Sequence, residues 1–263
     1  MKGKKIFILF ALLVLSIFSL VGCAKKAVSG GESKTVIMGL DDTFAPMGFR
    51  DENGELVGFD IDLAREVFGR NGYEVQFQPI DWSMKETELN SGNIDLIWNG
   101  YSITEERKEK VAFTDPYLEN RQIIITLADS DISSKSDLAG KKVAVQNGSS
   151  TLDAIYKEPE IVESFDGGEP VLFDTNHEAF MDLEAGRVDA VVSDEVLARY
   201  YIQQKNPEDY RILDEDFGSE EYGIGLRKED KELLEMINST LNEMREDGSF
   251  DEIYEKWFGD NDK

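Results

Sequence analysis

Residues 91–100 read SGNIDLIWNG, and residues 185–194 read AGRVDAVVSD. Each begins with a helix stop, passes through a polar or charged residue, and enters a short apolar run of strand character. The runs close on polar pairs, Asn99-Gly100 in the first copy and Ser193-Asp194 in the second. Working outward, TVIMGL, DIDLAREVFGRNG, YEVQFQPI, SMKETELNSG and TEERKEKV surround the first copy; KKVAVQNG, STLDAIYK, VLFD, NHEAFMDLEAG and EVLARYYIQQK surround the second. Strand-like runs thus alternate with amphipathic helical ones, twice over, which predicts an α/β fold. Asp60 is a candidate cap for the first helix, with Ile61, Ala64, Val67 and Phe68 on one face and Gly72 past its end. Ser83 and Glu86 have capping-box spacing for the second, which Gly92 closes. Two unrelated segments could converge on the same loop solution, so the repeat alone does not establish two lobes. Its geometry still matters: ligands collect outside the carboxyl ends of strands in open α/β sheets, and two such edges could face each other across a cleft.

The chain of 263 residues carries 28 Lys+Arg against 54 Asp+Glu, a formal charge of -26. That sign repels polyphosphate and excludes nucleic acid as a natural partner. One cysteine, Cys23, and one histidine, His177, leave no disulfide framework and no Cys- or His-rich metal site. Nucleotide-binding, zinc-protease and serine-hydrolase motifs are all missing from the sequence, so neither a cofactor nor catalytic residues are expected. His177 reads as a surface residue.

The N-terminus begins MKGKK and continues with IFILFALLVLSIFSLV, residues 6–21. A spanning helix needs about 20 apolar residues, so this shorter run behind a basic leader predicts a secretory signal. LVGC, residues 20–23, resembles the bacterial lipobox. The resemblance implies cleavage of 1–22 and lipidation of Cys23, which anchors a soluble protein to a membrane through acyl chains. The alternative is an uncleaved N-terminal anchor. AKKAVSGGES then reads as a flexible tether, residues 23–33 counting Cys23, with folded structure starting near Thr35.

GLDDTFAPMGFRDENGELVGFDIDLA, NSGNIDLIWNGYSITEERKEKVAFTDPY, LAGKKVAVQNGSS, GRVDAVVSDE and EMREDGSFDEIYEKWFG occur in that order along the chain. Together they resemble the extracellular solute-binding proteins of polar amino acid ABC importers, family 3, over roughly Thr35 to Gly259. The resemblance implies a two-lobed periplasmic-binding-protein-like fold with two hinge strands and a ligand cleft between the lobes. A discontinuous first lobe would comprise 34–118 and 219–259, and the second would comprise 122–215. It also implies a monomeric receptor on the outer face of the cell membrane, which delivers a free polar amino acid to an ABC permease and ATPase on separate chains. A sensor signalling to a membrane receptor, or a dehydratase on the same scaffold, are the other readings.

A free amino acid brings a carboxylate and an ammonium, and both need partners once desolvated. Arg107 suits the carboxylate, because a guanidinium can hold it through two parallel hydrogen bonds. Thr104 is placed to cap the helix that carries it. On the residues alone, Arg107 could equally pair with Glu106 or Asp115 on a solvated face. The resemblance puts the backbone of Gly100, the Ser102 hydroxyl and Ser149 on the same anion, and Asp194 on the ammonium. It sets Phe44 and Trp82 around the ligand's side chain, with Asp41, Asn99, Gln146 and Ser150 reading the tip. An acidic Asp41 favours a cationic side chain, then glutamine or cystine, and disfavours an anionic one.

Overall fold

The computed structural model describes residues 34–259; the signal sequence, Cys23 and the tether lie outside the described residues. The first strands are β1 (Lys34–Leu40), β2 (Thr43–Phe44), β3 (Gly48–Arg50) and β4 (Leu56–Val57), followed by helix α1 (Phe59–Arg70) and β5 (Tyr73–Pro79). Next come α2 (Lys85–Asn90), β6 (Leu96–Ser102), α3 (Glu105–Lys110), β7 (Ala112–Phe113) and the long β8 (Leu118–Leu127). β9 (Val143–Gln146), α4 (Ser150–Ile155), α5 (Pro159–Ser164), β10 (Val171–Phe173), α6 (Asn176–Glu184), β11 (Ala190–Asp194) and α7 (Glu195–Gln203) follow. β12 (Tyr210–Leu226), α8 (Lys231–Asp247) and α9 (Ser249–Phe258) close the described chain.

The main sheet runs β10-β9-β11-β8-β12-β6-β1-β5, with β7 also paired to β12. β5, β1 and β6 are parallel to one another, as are β10, β9 and β11. Between these two parallel sets run β8 and β12, antiparallel to each other and to their outer neighbours. Two α/β lobes are therefore joined by two long crossing strands, as the alternation and the resemblance predict. β12 reaches 17 residues because its register slips between Ile212 and Asp216 and again before Ser219, so that one strand can serve both lobes.

The repeat is structural. Asp95 exchanges two hydrogen bonds with Ile37, N–H to carbonyl at 2.7 Å and carboxylate from N–H at 2.9 Å. Asp189 does the same with Lys142, at 2.8 Å for both bonds. Each aspartate thus pins the start of its strand to the parallel neighbour, and each strand is preceded by a left-handed glycine, Gly92 or Gly186.

The capping assignments of α1 and α2 need correction. Gly58, at an extended positive φ, precedes α1, and Asp60 lies buried in the helix's first turn instead of capping it. Met84 precedes the second helix with no side-chain cap, and Ser83 lies in a 3-10 turn over Trp82–Met84 that Asp81 caps by accepting from the Ser83 N–H. The Asp81 carboxylate, two residues earlier, engages both the N–H and the hydroxyl of Ser83 and so draws that hydroxyl away from the helix. α8 and α9 pack on α1, tied by Arg70 to Asp247 at 2.6 Å and by the Trp257 indole to Asp62 at 2.8 Å. Among the described residues no helix is long and apolar enough to cross a membrane.

Candidate functional site

β6 and β11 are buried at every residue, and each ends in polar side chains that a buried strand carries only when they are satisfied or used. β6 delivers Asn99, Gly100 and Ser102, and α3 follows it, capped by the Thr104 hydroxyl as predicted. Arg107, only 5% exposed, folds back from that helix. Its Nη1 donates to the Ser102 carbonyl at 2.9 Å and its Nη2 to the Gly148 carbonyl at 3.3 Å; the guanidinium lies 4.6 Å from the Tyr101 ring centroid. Neither Glu106 nor Asp115 is its partner: Glu106 binds Lys110. The carboxylate of an ion pair with Arg107 is Glu86, at 4.0 Å from Nε and engaged by the Tyr101 hydroxyl at 2.9 Å.

Lys85, which the sequence reading overlooked, joins this end. Its amine is buried and donates to the carbonyls of Trp82 at 3.0 Å and Gly148 at 2.8 Å. Burial first, and the Arg107 charge second, bring it down to about 8. Two cations therefore share one carboxylate within ion-pair distance, with Glu106 and Asp153 acting on both at longer range.

Ser102 and Ser150 meet across the cleft, Oγ to Oγ, at 2.8 Å. Ser149 instead turns its hydroxyl to the Gln146 carbonyl at 2.7 Å. The Gly100 N–H goes inward to Asp60 Oδ2 at 2.8 Å, so the backbone donor implied for the ligand's anion already has an acceptor. Gly100 is required there: φ is +57°, and a Cβ would fall 2.8 Å from the Phe44 ring. Asp60 Oδ2 also accepts from the Tyr117 hydroxyl at 3.0 Å, and burial pushes its carboxyl up to about 7 against those bonds.

At the other end, three donors converge on Asp194 Oδ1: Asn120 at 2.6 Å, Tyr222 at 2.7 Å and Gln122 at 3.0 Å. Burial, and next the negative charge of Glu220, hold the Asp194 carboxyl well above the usual range. At the tip, Asp41 is 6% exposed; its backbone N–H donates to Asn99 Oδ1 at 2.9 Å, and Gln146 donates to its Oδ2 at 2.8 Å. Asn176 fixes Gln146 from behind at 2.8 Å. Burial raises the Asp41 carboxyl, opposed by two bonds from Thr43. Asn99 Nδ2 is buried with no partner among the described residues. Of the two aromatics, Phe44 lies against Gly100, whereas Trp82 stands edge-on to Tyr101 at 5.9 Å.

A double charge pattern across a cleft between two α/β lobes is the arrangement that a zwitterion needs. The family model for bacterial extracellular solute-binding proteins, family 3, matches residues 36–260. The chain belongs to that family. It is 31% identical over 230 residues to the L-cystine-binding protein TcyJ of Escherichia coli strain K12, covering 87% of this chain and 84% of the relative. A Streptococcus pneumoniae ABC uptake transporter substrate-binding protein with bound histidine has a TM-score of 0.84 at 42% identity, over 86% of this chain and 93% of that one. An ancestral arginine-binding protein bound to arginine reaches 0.79 at 47% identity, over 86% and 98%. These family-3 relatives are binding proteins, and family 3 is extracellular.

Beyond the predicted residues, the structure adds Lys85, Asn120, Gln122, Asn176, Glu220 and Tyr222. A signal for four of them was available: Asn120 and Gln122 fall on one face of β8, and Glu220 and Tyr222 on one face of β12. Their register, Asn120 opposite Glu220, is a tertiary fact.

Proposed function

We propose that this protein is a lipid-anchored extracellular receptor that captures one polar L-amino acid, closes on it, and delivers it as a monomer to an ABC permease and its ATPase on separate chains. The observation that carries the reading is a charge imbalance of opposite sign at the two ends of one buried site. Among the described residues, Glu86 is the one carboxylate within ion-pair distance of Lys85 and Arg107, while Asp194 has no cationic partner. Burying unmatched charge is costly, and an amino acid's carboxylate and ammonium would offset both ends at once. Arg107, with Ser102 and the loop at Ser149, would take the carboxylate; Ser150, expected at the tip, meets the Ser102 hydroxyl and would join them, and Asp194 would take the ammonium. Phe44 and Trp82 would flank the side chain. Lobe limits of 34–118 with 219–259, and 122–215, put the connecting chain in β8 and β12, and Cys23 would carry the lipid.

Asp41, buried and with no ion pair among the described residues, favours a cationic tip. Arginine, lysine and ornithine come first, glutamine and cystine next; glutamate would set like charges together. Of the relatives' ligands, arginine and cystine fall within that order and histidine lies outside it. A thermal-shift panel over the proteinogenic amino acids, ornithine and cystine tests it, since a ligand of the native state raises stability by RT ln(1 + [L]/Kd). Cationic amino acids should give the largest shift. Glutamate or aspartate as strongest stabiliser would overturn the pocket assignment, and no shift with any amino acid would overturn the receptor.

A further inference from the structure

Glu220 is assigned no part by the family reading, yet it reaches into the same network as Asp194. Its Oε1 accepts from Asn120 Nδ2 at 2.7 Å, Gln122 Nε2 at 2.8 Å and the Ser102 hydroxyl at 2.8 Å. The first two donors are the ones that also hold Asp194 Oδ1, at 2.6 and 3.0 Å. Two carboxyl oxygens that share a donor nitrogen at hydrogen-bond distance lie within about 5 Å of each other. Asp194 is buried and Glu220 half-buried, and at that separation two ionised carboxylates repel.

The surrounding charges do not relieve the repulsion. Arg121, between Asn120 and Gln122 on β8, turns away to Glu195 at 2.7 Å and Asp216 at 3.0 Å. Arg199 of α7 also goes to Glu195, and Arg107 is spent on carbonyls. From α4 come the neutral Ser150 and Asp153, another acid; from β12 come Tyr222, donating to Asp194, and Ser219 and Glu221, both exposed.

We infer that Asp194 and Glu220 form a carboxyl pair that holds one proton in the ligand-free site and releases it to solvent when a primary ammonium docks. The inference rests on the amino-acid-receptor reading and extends it. The docking ammonium supplies one positive charge, so the second carboxyl can ionise; the proton passes from the pair to buffer, and no covalent bond changes. An exit exists, because Glu220 lines an open depression of about 640 Å³ with Asn120, Arg121 and Glu195. Glu220 thereby makes the ammonium end doubly acidic, which favours ligands with an unmodified α-amine. Burial and Glu220's charge, both of which keep Asp194 above the usual carboxylate range, work in the same direction.

The sign follows from linkage: a site that must lose a proton to bind gains affinity as pH rises, by up to about tenfold per unit below the pair's titration, and levels off above it. Isothermal titration calorimetry between pH 5 and 8 measures this with L-arginine and L-glutamine, whose side chains do not titrate there. Repeating each titration in buffers of low and high ionisation enthalpy counts the protons. Release approaching one proton per ligand on the rising limb is expected for the parent, and close to none for Glu220→Gln. Saturable binding with the same heat in both buffers would overturn the inference while leaving the receptor intact, and needs no variant. Undiminished release in a folded Glu220→Gln protein would also overturn it. Failure of both probes and of every amino acid in the panel would remove the receptor reading, and this inference with it.

Discussion

The contact between the loop at Gly148 and the turn at Trp82–Met84 offers a way to perturb closure without touching a group proposed to hold ligand by its side chain. Gly148 has φ +69°, and a Cβ there would lie 2.9 Å from Ser83 Cα and 3.3 Å from Ser83 Cβ. Reaching ordinary van der Waals distance requires the two segments to separate by about half an ångström. The Gly148 carbonyl accepts from Lys85 at 2.8 Å and Arg107 at 3.3 Å, so such a shift stretches the first bond to its limit and breaks the second. Hydrogen bonds to charged groups are each worth about 1.5–3 kcal/mol. Losing one and weakening the other predicts that Gly148→Ala binds about ten- to several-hundredfold less tightly. The left-handed backbone adds about 1 kcal/mol of strain whether the cleft is open or closed, so that cost falls on melting temperature and not on affinity. Gly140→Ala is the control: φ is +72° and nothing lies within 4 Å of the new Cβ. Calorimetry with L-arginine, or with the panel's strongest ligand, reads the affinities. If Gly148→Ala binds within twofold of the parent, closure does not depend on this contact, and the reasoning from Gly148 fails.

Arg107→Ala should cost the carboxylate its principal partner, about 2–5 kcal/mol or roughly thirtyfold to a few thousandfold in affinity; a loss under tenfold by calorimetry on the folded variant would mean that the anion is held elsewhere. Cys23→Ser should abolish incorporation of a labelled acyl analogue, and equal labelling of variant and parent would refute the lipid anchor.

Much of the fold was legible because its signals are local. The helix carrying Arg107 is capped by Thr104, three residues away, and the strand starts at Asp95 and Asp189 follow glycine stops within a few positions. The misread caps show the limit of the same method. Asp60 sits one residue inside its helix, and whether its carboxylate caps that helix or meets the N–H of Gly100 depends on where β6 is packed. Likewise, Ser83 and Glu86 have the right spacing, but Asp81 captures the Ser83 N–H, and Glu86 turns instead to Tyr101. Spacing cannot rank two acceptors that lie two residues apart.

By itself, the sequence determined an acidic α/β protein with a repeated strand motif, no Cys- or His-rich site, and a resemblance to a family in which amino acids are bound. Alternation, glycine stops and composition are properties of neighbouring residues, and they survive without knowledge of the packing. Only the tertiary structure decided that Lys85 and Arg107 converge on the Gly148 carbonyl, 63 and 41 residues away, and that Glu220 shares its donors with Asp194. Those meetings depend on the register of β8 against β12 and on how the lobes face one another. A one-residue slip would turn Asn120 and Gln122 to the opposite face, with no change in either strand's hydrophobic content to reveal it.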